Sequence, residues 1–211
     1  MEQLLHDTQK KWKLIFIFAL FGAIFALLVS FLRPLEYSSS IRLLIVQKNV
    51  GTSDAYTVLK SAESIGDNLS QVVYTSSFLD KVLDSRFSVD TSYFPRKEYD
   101  RRKKWSKMVE TQVSRGTGFL KVTVYHPNKQ EANSISKAVA SILIEEGWQY
   151  VGTALEMKLV DKPIESRFPV RPNIPVNVFI GVFLGACVGV AYSSGKRFLL
   201  HAKAEALPSH E

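Results

Sequence analysis

Few residues in this chain have the type and spacing that chemistry needs. Of the four histidines, His6, His201 and His210 fall towards the chain ends and His126 in a turn. None stands at the H-x₃-H spacing that brings two imidazoles onto one metal ion. The one cysteine, Cys187, allows no intramolecular disulfide and no Cys-based metal site, and reads as a small packing residue. There is no G-x-S-x-G to hold a serine on a strained elbow. There is no G-x₄-G-K-[ST] loop to cradle phosphate, which weighs against an ATPase or a kinase. Glu145 and Glu146 are helical neighbours that point in different directions, so they read as a solvated edge rather than a carboxylate pair. The sequence therefore predicts a non-enzyme with no catalytic residue, no metal and no cofactor. A membrane-tethered envelope hydrolase is the remote alternative.

Three other clusters carry physical meaning. The first is basic: Arg101, Arg102, Lys103 and Lys104, with Arg96, Lys97 and Lys107 nearby. It reads as a solvated helix face, or as a patch for lipid head groups, a lipid-linked phosphate or an acidic polymer. Tyr99 and Trp105 beside it suit a membrane interface. Nucleic acid is not an expected partner. The second cluster is Gly181-x₃-Gly185-x₃-Gly189. Missing side chains on one helical face let another helix approach closely in lipid. Its partner is either the first apolar segment, with Gly22 and Ala26, or a neighbouring subunit. The third is a proline run from Pro163 through Pro169, Pro172 and Pro175 to Asn177. The last three prolines recur every third residue, the period of a stiff polyproline-II strut without internal hydrogen bonds. The strut is expected over residues 163–175.

The elements around these clusters begin with two anchors. Leu14–Leu32 and Val176–Tyr192 are uncharged runs of 19 and 17 residues. At about 1.5 Å per residue, each roughly spans a hydrocarbon core of about 30 Å. A cleaved signal peptide is a poorer reading of the first, because no A-x-A-like site follows Leu32. Lys10, Lys11 and Lys13 precede the first run, and Lys196, Arg197 and Lys203 follow the second. By the positive-inside rule the tails 1–13 and 193–211 are cytoplasmic, and residues 33–175 form one domain outside, between transmembrane helices 14–32 and 176–192. That stretch holds 21 Lys/Arg against 16 Asp/Glu, a net +5 within the chain's +7. The excess is too mild and too spread to be a nucleic-acid footprint.

Between the anchors, Ser40–Val46 is apolar and β-branched and predicts a strand. A helix follows, with apolar residues from Ala55 to Val73 and a cap at Ser53 or Asp54. A second, with Phe78, Leu79, Val82 and Leu83 on its apolar face, is capped by Ser76 or Ser77. Residues 85–95 look irregular. Residues 96–108 predict a charged helix and 109–113 a strand. Residues 115–118 form a glycine turn, and Phe119–Tyr125 is an alternating strand. His126-Pro127 opens a helix reaching about Tyr150, with Pro in its first turn. Residues 154–160 read as a last strand. Leaving aside the extra helices, the order is βαββαβ. This is an α+β domain, an antiparallel sheet with helices on one face, flanked by a membrane hairpin.

Several of these features together resemble the chain-length determinant (Wzz-like) polysaccharide co-polymerases of bacterial inner membranes. They are the anchor followed by Tyr37-Ser38-Ser39-Ser40-Ile41, and the Leu…Ser…Phe-Leu…Val pattern from Leu69 to Val82. To these add Val124-Tyr125-His126-Pro127-Asn128 through Ala132-Asn133, and the Pro-x-x-Pro-x-x-Pro run entering a glycine-rich second anchor. The similarity covers most of the chain, and only the proline run and the hairpin topology are fairly specific. The chain lacks the length for the long helical projection and lacks a fused tyrosine-kinase domain, so it is most similar to the short form. The resemblance implies a homo-oligomeric, non-catalytic scaffold in the plasma membrane. Such a scaffold sets the chain length or export of a surface polysaccharide (O antigen, capsule or exopolysaccharide) together with a polymerase. The alternative it implies is an adaptor for a separate cytoplasmic tyrosine kinase.

Overall fold

The computed structural model describes residues 12–47, 54–152 and 155–205. Along the chain the elements are α1 (Trp12–Phe31), β1 (Tyr37–Gln47), α2 (Ala55–Val72), α3 (Ser76–Leu83), α4 (Glu98–Met108), β2 (Val109–Ser114), β3 (Phe119–His126), α5 (Lys129–Val151), β4 (Leu155–Glu165) and α6 (Ile174–Glu205). They divide into two units. One is Leu35–Arg171, and the other joins the chain ends up to Pro34 and from Pro172.

In the Leu35–Arg171 unit, four strands form one antiparallel sheet in the order β2-β3-β1-β4. Alternation sets its two faces. Ile41, Leu43 and Ile45 of β1 and Leu120, Val122 and Val124 of β3 are all buried. Their neighbours in between, such as Arg42 and Lys121, are exposed. Helices α2 and α5 cover the apolar face through Ala62, Ile65 and Leu69, and through Ile135, Val139 and Leu143. Burying these side chains is the main favourable term, at roughly 1.5–3 kcal/mol for each large one. β2 and β3 are joined by a tight turn at 115–118, where Gly116 and Gly118 take φ of +69° and +66°. A Cβ is disfavoured at such φ.

Helix starts follow side-chain caps. Asp54 Oδ1 accepts from the Thr57 amide at 2.7 Å, which resolves the cap of α2 in favour of Asp54. Helix α3 is capped by Thr75 rather than by Ser76 or Ser77. Thr75 is extended, and its hydroxyl accepts from Phe78 N at 3.3 Å. Helix α5 is capped by Asn128, whose Oδ1 accepts from Gln130 N at 2.8 Å. Pro127 therefore stands before the cap and not in the first turn. Gly152, at φ +65°, closes α5. The stretch 85–95, expected to be irregular, holds one 3-10 turn at Thr91–Tyr93, capped by Asp90.

The serine run Tyr37-Ser38-Ser39-Ser40 has a use at each position. Ser38 N donates to Ser166 Oγ at 2.9 Å. Ser39 and Ser136 share a hydrogen bond of 2.7 Å between buried hydroxyls. Ser40 and Thr123 pair at 3.0 Å across β1 and β3. Small hydroxyls suit this end of the strand because each finds a partner once β3, α5 and the segment after β4 close round it.

Candidate functional site

The proline-bearing segment does not form one free strut. Pro163 lies inside β4. This strand is at the sheet edge, the place where a residue without an amide hydrogen is tolerated. Val170 N donates to Glu36 O at 2.8 Å and Glu36 N donates to Arg171 O at 2.9 Å. Ser166 N donates to Ser38 O at 2.8 Å. The segment around Pro169 is thus pinned by its backbone to the start of β1, and an isolated polyproline-II helix would have no such bonds. Pro175 is the second residue of α6, where a missing amide hydrogen breaks no helical bond. The second anchor accordingly begins two residues earlier than its apolar run, at Ile174.

Arg171 fastens the end of this segment to β2 and β3. Its guanidinium lies 3.3 Å from the centre of the Tyr125 ring. It also donates to Glu110 Oε2 at 3.0 Å and to Lys107 O at 2.9 Å. Tyr125 Oη donates to the same Glu110 oxygen at 2.9 Å. A planar cation that stacks and forks at once is a role lysine cannot fill. Sequence reasoning counted Arg171 only as a flanking charge. Its signal was there in part: it lies between the two prolines Pro169 and Pro172, and only the fold supplies Tyr125 and Glu110.

The basic run is split by the fold. Arg101 pairs with Asp80 and Glu98, both at 2.8 Å. Lys104 donates to Tyr93 O at 2.5 Å and sits 3.2 Å from the centre of the Tyr93 ring. Desolvation pushes the Lys104 ammonium below its ordinary value. Lys103 lies over the Tyr99 ring at 6.0 Å. Arg96, Lys97, Arg102, Lys103 and Lys107 remain exposed. Trp105 is not at a surface: it is fully buried, and its indole donates to Val73 O at 2.7 Å. Only Tyr99, 75% exposed, is placed as an interfacial aromatic would be. Charge runs alternate around a helix, so a residue every third or fourth position can be drawn into the core without breaking the pattern.

His126 ends β3 and is 5% exposed. Its Nδ1 accepts from Asn128 N at 3.0 Å, and its ring meets Tyr93 edge-on with centroids 4.3 Å apart. Desolvation holds its pKa below the ordinary value, helped by the Lys104 charge, while Glu131 and Glu36 act the other way. The same Nδ1 lies 3.2 Å from Asn128 O, so both backbone groups of Asn128 hold the ring in place. Among the described residues no three His, Cys, Asp or Glu side chains group as a metal site. Glu145 and Glu146 are engaged separately, by Arg86 at 3.1 Å and by Lys81.

In the other unit, α1 and α6 each contain a span long and apolar enough to cross a membrane, Trp12–Phe31 and Ile174–Ser193. The glycine face of α6 meets α1. A Cβ on Gly181 would come within 2.5 Å of Gly22 O and 2.6 Å of Ala26 Cβ. One on Gly185 would strike Phe18 O, and one on Gly189 would come within 3.0 Å of Ile15 Cα. Of the two partners open to this face, the first anchor of the same chain occupies it. Asn177, grouped in the sequence with the prolines, belongs here instead: its Nδ2 donates to Ser30 Oγ at 2.9 Å. Ser30 is a member that sequence reasoning missed. It is 2% exposed and also donates to Ala26 O at 2.8 Å. Cys187 is exposed on α6.

Residues 1–87 match the family model Wzz, described as chain length determinant protein, and the match supports a Wzz-like polysaccharide co-polymerase. No curated protein matches the chain.

Proposed function

We propose that this chain, Wzz-like over residues 1–87, is a non-catalytic scaffold of the bacterial plasma membrane that sets the chain length of a surface polysaccharide. The family match is the observation that carries the reading. The scaffold works as a homo-oligomer beside a polymerase, with both tails in the cytoplasm and residues 35–171 outside. The strand order β2-β3-β1-β4, with α2 and α5 on the apolar face, supports a split βαββαβ layer for that outer domain. Such a role needs shape and attachment rather than reactive groups. The exposed cations Arg96, Lys97, Arg102, Lys103 and Lys107 are the part of the basic run available to an anionic partner.

The test is genetic and chemical together. Removing the chain from its host should shift or broaden the length distribution of one surface polysaccharide on a gel, and the intact chain should restore it. An unchanged distribution for every surface polymer of that host would overturn the proposal.

A further inference from the structure

Along one side of the α1–α6 pair runs a groove whose chemistry changes at one end. Phe18, Phe21 and Phe25 of α1 form one wall, and Ile180, Leu184 and Val188 of α6 the other. These positions recur at three- and four-residue steps, so each wall is one helical face. Gly22, Ala26, Gly181 and Gly185 form the floor. The small residues that let the backbones touch leave nothing to fill the channel above them. Phe21 and Phe25 are each 69% exposed and Leu184 57%, so packing within the pair does not consume the walls. At the mouth the lining turns polar: Ser30, Asn177 and Arg33.

Two features select an occupant. The first is length. From Asn177 to Val188 the helix rises about 16 Å, roughly half of a hydrocarbon core of about 30 Å, which is one leaflet. The second is charge. Arg33 is exposed and forms no ion pair among the described residues. No Asp or Glu occurs in residues 12–34 or 172–193. The hairpin therefore offers no anion of its own for a guanidinium at the edge of the apolar zone. Guanidinium binds phosphate by paired hydrogen bonds. A packed helix would fill the apolar walls and still leave that cation without a counter-charge.

We infer that the groove holds one acyl chain of an anionic phospholipid, with its phosphate on Arg33 and its upper chain beside Ser30 and Asn177. The lipid fills the channel that the glycine contacts create and neutralises the mouth.

The full-length protein would be incorporated into vesicles of phosphatidylcholine alone, or of phosphatidylcholine with phosphatidylglycerol. It would then be released in mild detergent and weighed by native mass spectrometry. Wild type should retain one phosphatidylglycerol and prefer it over phosphatidylcholine by roughly fivefold, the weight of one cation near a phosphate surface. Arg33→Gln should lose that preference, and Arg102→Gln, on an exposed helix, should keep it. Leu184→Trp fills the groove and leaves Arg33 in place, and it too should lose the bound lipid. The inference is overturned by equal retention of both lipids, or by retention unchanged in Arg33→Gln and Leu184→Trp. Release of the bound species by a polyprenyl phosphate but not by excess phosphatidylglycerol would overturn it as well. So would crosslinking of Phe21→Cys to a second copy with no lipid retained, which would make the groove a protein contact.

Discussion

Single side chains in this protein act mostly as fasteners, and two of them give measurable handles. Trp105 fills the space between α4 and the core, and its indole N–H satisfies the carbonyl of Val73 at 2.7 Å. Trp105→Ala removes a large buried ring and orphans that carbonyl. It should cost about 3–5 kcal/mol in denaturant unfolding of the detergent-solubilised protein. Tyr99→Ala, at a side chain 75% exposed, should change stability by no more than about 0.5 kcal/mol. His126 supplies a pH handle of definite sign. Its folded pKa lies below the ordinary 6.5 because burial disfavours the imidazolium. Between the two values the unfolded chain binds more protons, so stability rises with pH there. The contribution is complete above about pH 6.5 and is lost as pH falls through the folded value. Unfolding midpoints should drop as pH falls below about 6.5, and His126→Gln should flatten this part of the profile. A slope unaltered in His126→Gln would assign the pH dependence to other groups.

At the scale of elements, periodicity made much of the protein readable and partnership did not. The alternation of Leu120, Val122 and Val124 marks β3 directly, and the spacing of Ala62, Ile65 and Leu69 marks α2, because burial imposes those periods. The glycine face of α6 was also visible in the sequence. Its partner was not, since Gly22 and Phe18 lie about 160 residues away and only the fold brings them to Gly181 and Gly185. The proline run misled for a related reason. Its period of three fits a strut, but Pro163 is an edge-strand residue and Pro175 a helix-start residue, each tolerated locally. Arg171 became legible only when Tyr125 and Glu110 arrived beside it. Two predictions follow at this scale. Arg171→Ala should lower stability by about 1–2 kcal/mol, combining a cation–π contact and an exposed ion pair, and Arg171→Lys should recover less than half. In a Cys187→Ala background, Ser30→Cys with Asn177→Cys should crosslink readily, because their side chains touch at 2.9 Å. Adding Gly185→Leu should slow that crosslink about tenfold, since overpacking costs about 1–3 kcal/mol.

For the whole molecule, orientation is the property on which the proposed function turns, and it rests on an imbalance of charge rather than on any contact. Lys10, Lys11 and Lys13 precede the first apolar run and Lys196, Arg197 and Lys203 follow the second, whereas the near flanks on the other side hold only Arg33, Arg167 and Arg171. The basic run of α4 does not oppose this, because long loops cross the membrane largely regardless of their charge. Two cysteine reporters in a Cys187→Ala chain decide the matter. Arg102→Cys stands on the exposed face of α4 and should react in intact spheroplasts with a maleimide that cannot cross membranes. Lys203→Cys should react only after permeabilisation. The reverse pattern would put residues 35–171 in the cytoplasm and would remove the scaffold reading altogether. Labelling of both positions in intact cells would separate the termini and break the two-span topology, and with it the pairing of Ser30 and Asn177 inside one hairpin. The expected pattern puts the exposed cations Arg96, Lys97, Arg102, Lys103 and Lys107 outside, the side on which the proposed function needs them.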